Sequence, residues 1–300
     1  VLPPAQEEIA TFIAQYLDTD HMKKPQFGRN AWKELVAAGK RVKANNGVTD
    51  FERADFSRIA EWVKAQRERR KERSKEEREQ EKQAKLAEQE KFGYAMVDGY
   101  RERISNFRVE PPGLFLGRGD HPKAGMLKRR VEPRDVTLNL SKGAPVPPSP
   151  VAGQKWKAVV HNDEVSWLAF WKDEITNSFK YVMLAPSSRI KGEADMRKYE
   201  KARQLKGCID RVRGAYRKDM RADSELDRQR ATAMYLIDVL ALRAGNEKDA
   251  DEEADTVGCC SLRVEHVRLG DDNQVTFDFL GKDSMRYLNT VQVDPLVWKN

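Results

Sequence analysis

The chain has little of what would tie it to an oxidising compartment, a membrane or a metal. Its three cysteines, Cys208, Cys259 and Cys260, are an odd set with an adjacent pair, not the even pattern of a secreted disulfide framework. Its four histidines, His21, His121, His161 and His266, are scattered, and Cys259, Cys260 and His266 lack finger spacing, so no metal site is expected. No apolar run reaches the ~20 residues of a membrane helix, and no signal peptide opens the chain. No membrane partner is therefore expected. The glycines match neither a P-loop nor a dinucleotide fingerprint, and neither a Ser/His/Asp order nor a paired-carboxylate motif stands out. Val1 is not an initiator methionine and Asn300 follows a strand-like run, so a piece of a longer protein is expected.

What the chain has is charge. Charged residues make up 34% of its 300 residues and the net charge is +7. A basic chain long enough for two or three cores favours a polyanionic partner, nucleic acid before an acidic membrane surface.

Composition changes along the chain divide it. Ile9, Phe12, Ile13, Tyr16 and Leu17 repeat at helical spacing; Trp32, Leu35 and Val36 mark a second, short helix, and Phe56, Ile59, Trp62 and Val63 a third starting near Asp55. Residues 67–91 are almost all Lys, Arg, Glu and Gln, and Ser74-Lys75-Glu76-Glu77 is a capping box that restarts a helix. Two helices polar all round project into solvent rather than enter a core. Glycine, proline and aromatic residues take over at Asn106. After a proline-rich connection at 142–150, runs at 155–160, 165–171 and 179–184 predict an antiparallel meander with Trp156, Trp167 and Trp171 on its covered face. A helical stretch follows from about Asp195; its last helix starts near Ser224, is apolar nearly all round from Ala233 to Leu242 and is stopped by Gly245 and Asn246. Runs at 262–268, 274–280 and 285–293 predict terminal strands. The reading is an α+β chain of several domains: a mainly helical region at 1–105, a basic loop and antiparallel β region at 106–190, and a helical and β region at 191–300.

Three features could carry chemistry. Arg243 follows Ala233, Leu236 and Leu240 at helical spacing, which places it along a buried stripe at a helix C-terminus. Two readings stay open there: compensation of the helix dipole, worth under ~1 kcal/mol when exposed, or a planar fork for two phosphate oxygens. Lys282 falls at a hairpin tip between the last two strands. It is either a solvated lysine or an ammonium on a rigid turn that can protonate a leaving oxygen, with Asp283 positioning it or capping the turn. The third feature is the loop at 117–130, in which Arg118, Lys123, Lys128, Arg129 and Arg130 alternate with three glycines. Glycine lets a backbone approach phosphates that the cations neutralise.

Several long motifs occur in an order that resembles eukaryotic type IB DNA topoisomerases. They are Glu110-Pro111-Pro112-Gly113-Leu114-Phe115, the loop to Arg130, Pro186-Ser187-Ser188-Arg189-Ile190-Lys191-Gly192, Arg243-Ala244-Gly245-Asn246-Glu247-Lys248, residues 254–266, and Phe279-Leu280-Gly281-Lys282-Asp283-Ser284. The resemblance is strongest over 106–300 and continuous before it. It implies a clamp on duplex DNA, with 1–105 as a cap lobe bearing the charged helical pair, 106–190 as a DNA-binding region and 191–300 as the first part of a catalytic domain. It implies relaxation of supercoils through a 3′-phosphotyrosine intermediate, with no ATP, no other cofactor and no required divalent metal. Arg243 would stabilise the transition state and Lys282 would be the general acid, while Arg118, Lys123, Lys191 and Asp283 match positions on or near the DNA-facing surface; Lys128 and Arg129 of the basic loop are expected to bind DNA beside them. Arg118 and Asp283 also match the family's camptothecin-type inhibitor pocket. A nuclear location follows from the same resemblance. The family's tyrosine, second arginine and histidine match nothing in 1–300, so the tyrosine is expected on a C-terminal continuation or a second polypeptide. Leu116 and Ala185 depart from the family's usual basic residue and asparagine. The alternatives are a DNA-binding clamp without catalysis and a relative of tyrosine recombinases.

Overall fold

Apolar periodicity builds the first helices. In the computed structural model, which describes residues 2–41, 51 and 54–300, α1 (Pro4–Ala14) packs on α2 (Pro25–Arg41). Ile9, Ala10 and Ile13 join Phe27, Ala31 and Leu35 in one buried cluster. Burying Gln6 would be costly were its amide unpaired, but Nε2 donates to the Leu35 carbonyl at 3.1 Å. Gly39 leaves the room for this, since a Cβ there would lie 2.2 Å from that nitrogen.

Farther on, the helices lose their core. α3 (Ser57–Lys71) buries only Val63, and α4 (Lys75–Phe92) buries nothing. Trp62, one of the apolar residues that mark this helix, is 57% exposed: one residue is 100° of helix, enough to turn it away from the side on which Val63 is buried. The Ser74 capping box forms, its hydroxyl accepting from the Glu77 amide while the Glu77 carboxylate accepts from the Ser74 amide.

A hairpin that the periodicity did not reveal follows, β1 (Tyr94–Val97) and β2 (Tyr100–Arg103), turning at Asp98 and Gly99 with φ of 52° and 80°. The short strands β3 (Gly113–Leu114) and β4 (Leu127–Lys128) pair antiparallel. The expected meander is corrected. β5 (Thr137–Asn139) inserts itself, giving the order β6-β5-β7-β8 with β6 (Ala158–Val160), β7 (Trp167–Lys172) and β8 (Phe179–Met183). β5 and β6 run parallel, which a long crossover through the proline-rich connection permits and a tight turn does not. Trp171 is buried and Trp156 packs against its cluster. Trp167 does not, because a bulge between Trp167 and Ala169 shifts its register, and it instead meets Phe170 and Tyr181.

The chain separates into two units, Val1–Leu116 with Lys123–Met196, and Gly117–Pro122 with Arg197–Asn300. α5 (Arg189–Lys206), which buries no residue, carries the chain from one to the other.

In the second unit α6 (Ile209–Asp219) packs on α7 (Glu225–Leu240). Arg213 forks onto both Asp238 oxygens at 2.8 and 3.0 Å, and the Tyr216 hydroxyl donates to the same carboxylate at 2.9 Å. α7 starts where anticipated, with the Ser224 side chain capping it, but the helix is not buried all round: Val239 is 52% exposed. Nor does it reach Gly245. It closes at Ala241, in left-handed conformation with φ 55°, and the Leu242 amide returns to the Leu236 carbonyl. A left-handed alanine costs about 1–2 kcal/mol; burial of Leu242 beside Leu236 in the unit's core offsets it. Residues 262–266 are mostly 3-10 turns, so the predicted first terminal strand is only β9 (Val267–Leu269). It joins β10 (Gln274–Leu280) and β11 (Arg286–Gln292) in the order β11-β10-β9. A last short helix, α8 (Pro295–Lys299), completes the core through Val297.

Candidate catalytic and nucleic-acid-binding residues

Lys282 sits where the alternating pattern put it, at the tip of the β10–β11 hairpin. Val275, Phe277 and Phe279 anchor β10 in the core, and Phe279 stacks on Tyr287 at 5.0 Å just below the tip. The Gly281 amide bonds to the Met285 carbonyl and the Ser284 amide to the Gly281 carbonyl, at 2.8 and 3.0 Å. Asp283 and Ser284 both have left-handed φ, 67° and 58°. Lys282 is exposed, and no hydrogen bond or ion pair engages its ammonium among the described residues. Asp283 pairs with Arg118 of the Gly117–Pro122 segment in the same unit.

Arg243 is displaced from its expected place. It lies two residues beyond the Ala241 cap, off the helix and exposed rather than along a buried stripe. Its backbone is nonetheless fixed. The Cys259 amide donates to the Arg243 carbonyl and the Cys260 amide to the Ala244 carbonyl, both at 2.7 Å. Two glycines cross at the same point: a Cβ on Gly258 would fall 2.5 Å from the Gly245 Cα and 2.7 Å from the Arg243 carbonyl oxygen. The Val257 amide bonds to the Leu280 carbonyl at 2.8 Å. One short stretch, Val257 to Cys259, thus ties the Arg243 segment to the hairpin that carries Lys282. The guanidinium itself has no ion pair among the described residues.

The remaining predicted contacts lie in the first unit, each held by an acceptor of its own chain. Lys123 donates to the Ile175 carbonyl at 2.8 Å, Arg129 pairs with Glu174 at 2.9 Å, Lys128 pairs with Glu110 and Lys191 with Asp195. Lys123 and Arg129 therefore gather on the Asp173–Thr176 turn. Burial pushes the Lys128 ammonium below its usual range, with Asp173 opposing and Lys180 assisting. Gly125 docks this stretch on α2: its φ is 91°, and a Cβ would lie 2.1 Å from the Phe27 carbonyl oxygen.

Sequence reasoning missed the supports of the site. The Gly245–Gly258 crossing and the Gly119–Ser284 contact join residues far apart in the chain, and no local pattern signals them. Tyr287, half-buried, accepts a hydrogen bond from the Asn289 amide at 3.0 Å while stacked on Phe279, a packing role. Burial raises the Cys259 thiol to about 11, and among the described residues no group of three or more His, Cys, Asp or Glu is placed to hold a metal.

Two family models match the chain, one described as eukaryotic DNA topoisomerase I, DNA binding fragment, over residues 1–184, and one as eukaryotic DNA topoisomerase I, catalytic core, over 187–300. The chain is 51% identical over 299 residues to DNA topoisomerase 1 beta of Arabidopsis thaliana, covering 99% of this chain and 32% of that protein. It is 50% identical over 304 residues to DNA topoisomerase 1 of Homo sapiens, covering 100% and 40% respectively. Against DNA topoisomerase 1 of Schizosaccharomyces pombe it is 50% identical over 299 residues, covering 100% and 36%. It thus spans between 32% and 40% of these relatives' length. With both models matched and half the residues identical throughout, the chain belongs to the eukaryotic DNA topoisomerase I family.

Proposed function

We propose that this chain is the DNA-binding and first catalytic part of a type IB topoisomerase that relaxes supercoiled duplex DNA. The observation that carries the reading is the pair of cations without a partner among the described residues, Arg243 and Lys282, on backbone segments joined through Val257 and Cys259. In the reaction so read, a tyrosine hydroxyl oxygen from outside these 300 residues attacks the scissile phosphorus. The bond to the 5′-oxygen breaks as the 3′-phosphotyrosine forms. The exposed Arg243 fork lies against the non-bridging oxygens and stabilises the charge that grows there. Lys282 gives its proton to the departing 5′-oxygen. The cut strand rotates, driven by torsion in the DNA, and the 5′-hydroxyl reverses the step, so that neither ATP nor another cofactor nor a divalent metal takes part.

Arg118, Lys123, Lys128, Arg129, Lys191 and Asp283 line the DNA-facing side in this reading, and 1–105, 106–190 and 191–300 serve as cap, DNA-binding and catalytic regions. The protein acts in the nucleus, its tyrosine borne on a C-terminal continuation or a second chain, and Arg118 with Asp283 makes it open to camptothecin-type inhibitors. Binding is mainly electrostatic, so affinity falls steeply with salt, in proportion to the phosphates contacted.

The test is relaxation of supercoiled plasmid without ATP by the native protein recovered through this chain. Relaxation that persists in EDTA is expected. Failure to relax by an intact preparation that binds DNA overturns the reading.

A further inference from the structure

We infer that Gly119 is a positioning residue for Lys282, acting through Ser284. The assignment rests on the functional reading above and adds to it the device that aims the general acid. Gly119 has φ +59°, and a Cβ on it would lie 2.2 Å from the Ser284 Oγ and 2.7 Å from the Ser284 Cβ. Rotating the hydroxyl away cannot make room, because the Cβ that carries it is itself too close. A side chain at 119 therefore forces the two backbones apart, and the turn at Ser284 is one of the two that must give.

That backbone is the turn on which Lys282 stands. Asp283 and Ser284 are consecutive non-glycine residues with left-handed φ, a strained pairing that persists only where the surroundings hold it. The segment Gly117–Pro122 supplies the hold at both residues: Arg118 pairs with Asp283, and Gly119 seats against Ser284. The Met285 and Ser284 amides turn back to the Lys282 and Gly281 carbonyls, so a shift at Ser284 passes directly to Lys282. Its ammonium has no side-chain partner among the described residues, so the turn fixes where its flexible stem starts and which way it leaves the backbone.

The chemistry offers a readout that general loosening of the fold does not move. When the phosphorus–O5′ bond breaks, the electron pair leaves on O5′ and takes the proton of Lys282. With sulfur in place of that bridging oxygen, the pair leaves as a thiolate that needs no proton. A fault confined to the aim of Lys282 therefore slows the oxygen substrate and spares the sulfur one.

The experiment is single-turnover cleavage by the native enzyme, wild type, Gly119→Ala, Ser284→Gly and the double variant. Duplex DNA carries either oxygen or sulfur at the 5′ bridging position, and DNA binding and Tm are measured alongside. Gly119→Ala is expected to cleave the oxygen substrate about 10- to 100-fold slower and the sulfur substrate at a rate within about threefold of wild type. Adding Ser284→Gly, which removes the obstructing Cβ and suits the left-handed φ, is expected to restore most of the loss. Should Gly119→Ala not fold, Asp283→Asn, which weakens the same hold without added bulk, is expected to show a smaller loss with the same preference for oxygen. Equal slowing on both substrates, or no recovery in the double variant, overturns the assignment. A wild-type enzyme that cleaves neither DNA overturns the functional reading, and this assignment with it, so the two failures are told apart.

Discussion

The four predicted DNA-contacting cations of the first unit and the two predicted catalytic cations of the second are held in opposite ways. In the first unit Lys123, Lys128, Arg129 and Lys191 each rest on a carboxylate or carbonyl of the chain. In the second, Arg243 and Lys282 have no such partner among the described residues, and it is their backbones that are fixed, one by a glycine crossing and one by a strained turn. Under the proposed function the difference is one of task. A cation that only has to neutralise a phosphate can trade one anion for another at modest cost, because exposed ion pairs are worth little. A group that must act on a reacting atom gains from standing ready, with no bond to break first and its direction already set.

The comparison breaks most visibly in the rate of cleavage. Arg243→Ala is expected to slow formation of the covalent tyrosyl–DNA complex by about 10²–10³-fold at saturating DNA, the usual cost of losing one transition-state donor. Affinity, read by filter binding, should change by no more than a few-fold. Lys282→Ala is expected to cost about 10²-fold on ordinary DNA, again with binding retained, and far less where the bridging atom is sulfur.

The first unit should answer in affinity instead. Lys123→Ala and Arg129→Ala are each expected to lower the slope of log K against log salt by about 1 in DNA titrations, leaving single-turnover cleavage at saturating DNA nearly unchanged. Glu174→Gln, which releases Arg129 from its partner, should tighten binding slightly at low salt.

The smallest effect is on stability. The Arg286 fork, at 2.8 and 2.9 Å, holds the Asp278 carboxyl below its usual range, and Arg213 and Tyr216 do the same to Asp238. A carboxyl whose pKa is depressed on folding contributes stability that is present above its unfolded pKa, about 4, and is lost as pH falls through the lower folded value. Tm should therefore be flat near neutrality from this source and fall below about pH 4, and Asp278→Asn should lessen that fall. Because the Asp278 pair is exposed, the change is small.

How much of this was legible in the sequence follows the range of the interactions. Local chemistry reads correctly: the Ser74 capping box, the helix start near Ser224 and the Lys282 turn each depend on a few adjacent residues. The Asp98-Gly99 turn is equally local, but the charged run Arg101-Glu102-Arg103 that follows hides the alternation of its second strand. Arg243 was misplaced because helix periodicity extends a stripe without knowing where the helix stops. The stop is made by Leu242 folding back into the core, a tertiary effect that outweighs the strain at Ala241. The insertion of β5 beside β7 and the two glycine contacts were hidden for the same reason, since residues distant in sequence make them.

The most direct test of the account is the yield and rate of covalent 3′-phosphotyrosyl DNA formed by the native enzyme at saturating duplex, in wild type, Arg243→Ala and Lys282→Ala. The account predicts rapid formation in wild type, and steep losses in both variants while each still binds DNA. Wild-type rates in either variant, or no covalent complex at all from an intact DNA-binding enzyme, would contradict it.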